Sequence, residues 1–170
     1  MIYESIENDV LTRLQPLTTA HIDVIAMPEN QSIPVRPQAR AMVIIQYLLS
    51  DTTNGSEKVQ SKSSGVTTHD ELVFIEVTIR SKNLRGAFGI YNIHELCQAL
   101  LLGFTPGDCD KMLFKSLKFI EYADGLWTYL GHYCATRNLV EKDPADVEIL
   151  LNQLKLLNEN GDEIIQVPEG

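Results

Sequence analysis

The sequence predicts an α+β fold: a mainly antiparallel sheet of about four to five strands, two or three packed helices and a long polar hairpin loop. Three observations carry this reading. Strand-like runs occur as two pairs, 40–48 with 71–80 and 112–121 with 126–137, each pair joined by a turn-forming or polar segment. Apolar stripes with helical spacing open the chain, separate the two pairs and follow the second. The resulting order holds too few strand–helix–strand units for a doubly wound parallel sheet, which leaves helices packed on an antiparallel one.

Ile2, Ile6, Val10 and Leu14 stand four residues apart with polar residues between them, an amphipathic helix. Pro16 ends it, because proline disfavours helical geometry in the residue before it. His21 to Ala26 alternates as a short strand closed by Pro28, and 28–37, with three prolines, reads as an irregular connection. Arg40 to Leu48 is dense in β-branched residues and predicts a central strand covered on much of both faces. From Asp51 to His69 the composition turns to Thr, Ser, Asn, Gly, Lys and Gln, with Val59 and Val66 the only aliphatic residues. Such a stretch adds nothing to a core and is expected to be a long mobile loop. Glu71 to Arg80 is the clearest strand, with Val73, Ile75, Val77 and Ile79 on one face. The two strands and the polar stretch between them make a long hairpin with an oversized tip.

Ile93, Leu96, Cys97, Leu100 and Leu101 form the stripe of a helix within 90–103. Asn92 stands where it could cap that helix, Glu95 sits at the capping-box offset, and Gly103 lies where a helix end favours a left-handed residue. Thr105 to Asp108 reads as a turn, Met112 to Glu121 as a mixed apolar and basic strand, and Ala123-Asp124-Gly125 as the next turn. Leu126 to Arg137 is the return strand, with Trp127, Tyr129 and Tyr133 giving it β character. Asp143-Pro144 opens a last helix with Val147, Leu150, Leu151, Leu154 and Leu157 as its stripe. The expected organisation is a single α+β domain over 1–158, with the flexible loop 51–69 inside it, and an acidic tail over 159–170.

A chain of 170 residues with 44% hydrophobic and 22% charged residues suits one compact domain and is too apolar for a disordered protein. No apolar run approaches the roughly 18–20 residues needed to span a bilayer. The N-terminus lacks a basic segment followed by an apolar one, so a cytoplasmic location and no membrane partner are expected. The balance of 14 basic and 23 acidic residues, net −9, repels nucleic acid at long range and predicts no tight binding to it. A like-charged wall past which DNA slides is compatible with that balance. Cys97, Cys109 and Cys134 form no C-x-x-C pair and are expected to be buried or semi-buried thiols.

Catalytic signatures do not emerge. Ser63-Ser64-Gly65 lies in the polar stretch with no strand leading into it, unlike a hydrolase nucleophile turn. Gly86-Ala87-Phe88-Gly89 is too short and apolar to cradle phosphates and reads as a bend between strand and helix. The pair His94-Glu95 lacks the second histidine a zinc helix requires four residues on, where Gln98 stands. Asp108/Asp110 and Asp143/Asp146 read as caps at turns or a helix start. No catalytic, cofactor-binding or metal-binding residue is assigned, and no enzyme activity is expected. Arg80, Lys82 and Arg85 reverse the acidic background locally, either as a solvated strand end or as a contact for an acidic neighbouring subunit.

The polar-tipped hairpin, the passage Glu76 to Gly86, the helix ending Ala99-Leu100-Leu101-Leu102-Gly103-Phe104-Thr105-Pro106, and Ala123-Asp124-Gly125-Leu126-Trp127 together resemble a known pattern. The chain is similar, over about residues 1 to 140, to the small tail terminator and minor tail proteins of tailed phages and prophages, including a Mu-like prophage tail family. These motifs are strands, bends and helix ends, not catalytic signatures. The resemblance implies a homo-hexameric ring that caps the tail tube, stops its polymerisation and connects to the neck or sheath end of a phage tail or contractile injection particle. Its partners would be the tail tube protein and a sheath or neck protein, and no cofactor follows. It also implies an interface formed by Arg80, Lys82, Asn83, Leu84, Arg85 and Phe88. Loop 51–69 is longer than in the shorter members, which leaves its role open. A neck or head-completion subunit of the same kind of particle is the second reading, and an enzyme of unknown type the third.

Overall fold

The computed structural model describes residues 2–28, 39–51 and 68–140, together with Glu148. The chain divides into two compact units, one of Met1–Lys58 with His69–Leu139 and one of Val59–Thr68 with Val140–Gly170. Almost all of the second lies outside the described residues, as do the polar stretch 52–67, the connection 29–38, the expected last helix and the acidic tail.

The first unit is α+β, with a five-stranded, mostly antiparallel sheet and two helices. Helix α1 spans Ile2–Leu14, and a short 3-10 helix over Gln15–Ala20 carries Pro16 at its start. Strands β1 (Ile22–Ala26), β2 (Ala41–Asp51) and β3 (Thr68–Ser81) follow, then α2 (Ile90–Leu101), β4 (Leu113–Ala123) and β5 (Leu126–Val140). The sheet order is β1-β2-β3-β5-β4. β1 runs parallel to β2, with Ile22 opposite Ala41, while β2 and β3 are antiparallel, with Val43 opposite Ile79. Glu71 meets Arg137 and Glu76 meets His132, so β3 and β5 are antiparallel as well. β4 and β5 close the sheet as a hairpin whose two-residue turn has φ 52° at Asp124 and 74° at Gly125. Two positive φ values are what a tight turn needs to match the right-handed twist of its strands.

Period-two alternation decides which face of the sheet is buried. Val43 and Ile45 of β2, Val73, Ile75, Val77 and Ile79 of β3, and Tyr133 and Ala135 of β5 form one core with Ile6, Val10 and Leu14 of α1 and Ile93, Cys97 and Leu101 of α2. Burying each large aliphatic side chain stabilises the fold by about 1.5–3 kcal/mol, so the stripe on α1 and the face of β3 hold the helices on the sheet. All three cysteines are buried and free.

Helix α2 departs from the expected details. It starts at Ile90, two residues before the expected cap, with Gly89 as its N-cap in extended backbone and no side-chain capping bond. The Asn92 side chain instead donates to the Ala87 carbonyl at 2.8 Å, so neither Asn92 nor Glu95 builds a capping box. The buried stripe is rotated too: His94 takes the inward place, against Phe114, while Leu96 is exposed. Gly103 does lie just past the helix in left-handed backbone, φ 76°. Asp108, expected as a turn cap, pairs across the fold with Arg137 at 2.9 Å.

Candidate assembly surface

The passage from Ser81 to Tyr91 joins the end of β3 to the start of α2 and is held by its own hydrogen bonds. The Ser81 hydroxyl, fully buried, donates to the Phe88 carbonyl at 2.6 Å and accepts from the Asn83 N–H at 3.2 Å. The Gly89 N–H donates to Gly86 O at 2.9 Å, Ile90 N–H to Asn83 O at 3.0 Å and Tyr91 N–H to Leu84 O at 3.3 Å. Two glycines make this path possible. Gly86 has φ 87°, and a Cβ on Gly89 would collide with the Arg85 backbone.

This framework sorts the six expected interface residues. Leu84 and Phe88 turn inward and pack against the core. Lys82, Asn83 and Arg85 are exposed. Arg80 is half-buried, and its Nε has no hydrogen-bond partner among the described residues. Arg40, not singled out in the sequence, joins them: exposed at the start of β2, its guanidinium lies 4.5 Å from the Phe88 ring centre. The signal was present, because an antiparallel hairpin pairing Ala41 with Ser81 sets Arg40 beside the end of β3. The outcome is a cationic surface on a rigid bend, at the end of the sheet where β4 and β5 also turn.

A second polar cluster crosses three neighbouring strands on the sheet's other face. Ser116 Oγ of β4 lies 3.1 Å from His132 Nδ1 of β5, and His132 Nε2 lies 3.7 Å from Glu76 Oε2 of β3. The residue types are those of a nucleophile, base and orienting acid, yet the last distance exceeds a hydrogen bond. Cross-strand polar pairing on a sheet face accounts for the arrangement. Burial pushes the Cys97 thiol up to about 12 and Cys109 up to about 11, so neither is a thiolate at neutral pH. Among the described residues no three His, Cys, Asp or Glu side chains converge as a metal site, and no helix is long and apolar enough to cross a membrane.

The five-stranded sheet and its two helices define an α+β class also found in a large particle. The fold is similar to that of a chain in the structure titled "Virion of native gene transfer agent (GTA) particle", with a TM-score of 0.57 and 12% identity. The match covers 81% of this chain and 98% of that one. The family itself is clear from sequence: the Gp37 protein family model matches residues 10–160, and the chain belongs to that family. Family and fold together bear out the resemblance to phage tail-type proteins. No curated protein matches the sequence.

Proposed function

We propose that this chain is a structural subunit of a phage tail or phage-derived particle, and within it the tail terminator. Six copies form a ring on the last ring of the tail tube, stop its growth and present a surface to the neck or sheath end. The observation that carries the reading is a family match over residues 10–160 on a fold that spans nearly the whole of a gene transfer agent virion chain. The cationic bend supports it, since Lys82 and Arg85 stand exposed on an otherwise acidic protein and suit an acidic neighbour. The protein acts by binding and shape, and works inside the assembled particle.

Reversing Arg80, Lys82 and Arg85 to Glu tests the role. Like charges placed together at an interface cost several kcal/mol, on the order of a hundredfold or more in affinity. Particles carrying the triple reversal are expected to show tails of abnormal length by electron microscopy, while the purified variant stays folded. Normal tail lengths would remove this surface from the mechanism. A role in head completion would show instead as tails of normal length left unjoined to heads.

A further inference from the structure

Both flanks of the sheet leave a stretch of strand with no described neighbour, and both stretches are broken in the same way. On one flank β1 spans only Ile22–Ala26 and pairs with β2 from Ala41 to Ile45, so β2 from Gln46 to Asp51 has no described strand outside it. On the other flank β4, with 11 residues, ends the strand order. Such an edge offers a row of N–H and C=O groups to any passing strand, one from another copy of this chain included. Phe119, Ile120 and Tyr122 are exposed along β4, which adds apolar surface to the hazard.

Each of these stretches carries surplus residues. Tyr47 stands opposite Ile75 and Leu49 opposite Phe74, which leaves Leu48 of β2 without a partner on β3. Phe114 faces Tyr133 and Ser116 faces His132, which leaves Lys115 over; Phe119 faces Tyr129 and Glu121 faces Thr128, which leaves Ile120 over. All three surplus residues are exposed, and in both ladders the bulge lies on the outer strand of the pair. A bulge bends its strand, raises the local twist and moves hydrogen-bonding groups out of the spacing that a straight partner needs. The bulges of β4 are not there to place side chains. Without Lys115 and Ile120 the strand still alternates, with Phe114, Leu117, Phe119 and Tyr122 on the face of Tyr133, Gly131, Tyr129 and Trp127, and Ser116, Lys118 and Glu121 on the other. Charge does not close this edge either. Lys115 and Lys118 are exposed, yet an antiparallel second copy centred on Lys118 sets each Lys115 opposite a Glu121, an attractive pair.

We infer that the bulges at Lys115 and Ile120 are edge guards: they stop copies of this chain from pairing β4 to β4, so that subunits meet through side-chain surfaces and not by extending one another's sheets. Leu48 is the same device on the stretch of β2 that β1 is too short to cover. The inference does not depend on the terminator reading, because any subunit that accumulates before it assembles has to keep a long edge from pairing early.

Deleting Lys115 and Ile120 together straightens β4 and leaves every other side chain on its face. In that variant the β4 amides that do not bond to β5 should gain protection from hydrogen exchange as protein concentration rises. Its self-association by analytical ultracentrifugation should be at least about tenfold stronger than that of the wild type, as several new cross-strand pairs together imply. In the wild type the same amides should exchange at one rate at every concentration, and Lys118→Thr with both bulges intact should leave association close to that of the wild type. A folded deletion variant that associates no more than the wild type, or that associates with those amides still exchanging freely, would overturn the guard. Wild-type amides that gain protection with concentration would do the same, and a rise with Lys118→Thr equal to that of the deletion would assign the guard to charge and sink the bulges. Should the double deletion melt early, the two single deletions are read instead, each expected to stay folded and to show part of the effect. Early melting of both would show that the bulges serve the packing of the hairpin, and the inference falls.

Discussion

The two ends of the sheet use charge in opposite ways. Where β3 begins and β5 finishes, Glu71 is only 3% exposed and accepts from the Tyr3 hydroxyl at 2.8 Å and from Arg137 at 3.3 Å. Arg137 also reaches Asp108 at 2.9 Å, so one guanidinium ties β5 to β3 and to the segment before β4, and Tyr3 brings in α1. Where β3 ends, Lys82, Arg85 and Arg40 face solvent and none makes an ion pair among the described residues. The first set of charges is paired within the fold, while the second lies exposed at its end. A residue's charge alone therefore says little about its task. What decides is whether the countercharge belongs to the same chain.

Breaking the first end should have the largest effect. Arg137→Met leaves Glu71 buried without its cation, and removing one partner of a buried pair costs about 3–5 kcal/mol. A domain of this size should then melt on the order of 10 °C lower by calorimetry, and adding Glu71→Gln should recover part of the loss. A drop of only a degree or two would mean that the clamp belongs with the spare charges. Gly89→Ala tests whether the second end owes its shape to the bend. The added Cβ has to displace the Arg85 backbone, and the strain should cost about 1–3 kcal/mol in a denaturant melt.

A smaller effect sits between the ends, at His94. Its imidazole is buried against Phe114 with Nδ1 unpartnered among the described residues, and burial holds its pKa below the ordinary 6.5, against the weaker upward pull of Glu95. The folded state therefore binds the proton less readily than the unfolded chain. Stability is full above 6.5 and is lost as pH falls from there through the lowered value. Glu7 has the opposite sign, because its raised carboxyl loses stability as pH rises from 4.5. The difference between wild type and His94→Phe isolates the histidine: the variant should lose less stability between pH 6.5 and 5, read from urea midpoints. Equal slopes would show that the folded and unfolded chains take up the His94 proton equally, so that burial does not lower its pKa. The smallest expected change is in the melting curve of the Lys82 and Arg85 reversal, about 0.5 kcal/mol per site. A collapse there would erase the distinction between the two ends.

Much of the fold was legible because it depends on local spacing. Ile6, Val10 and Leu14 fall on one side of any helix, and Val73, Ile75, Val77 and Ile79 on one side of any strand, so both buried faces followed from periods of 3.6 and 2. Pro16, Gly103 and Asp124-Gly125 ended or turned their elements for reasons carried by single residues. Helix α2 was misjudged in detail because Gly89, with no side chain to advertise it, took the cap, and because the pull of Phe114 on His94 is a contact between distant parts of the chain.

Arg80, Lys82 and Arg85 were picked out by charge and Asn83, Leu84 and Phe88 by the resemblance, and neither signal said which side chains face out. Only the tertiary structure turned Leu84 and Phe88 inward, added Arg40 to the cationic surface, buried Glu71 with Arg137 and left Phe119, Ile120 and Tyr122 bare. Each of these depends on which strands become neighbours and where a helix stops covering them. The sequence by itself determined the elements and their buried faces, because those follow from residues a few positions apart. Which charges and apolar side chains the fold buries and which it leaves exposed was decided by contacts between residues tens of positions apart, which no local pattern encodes.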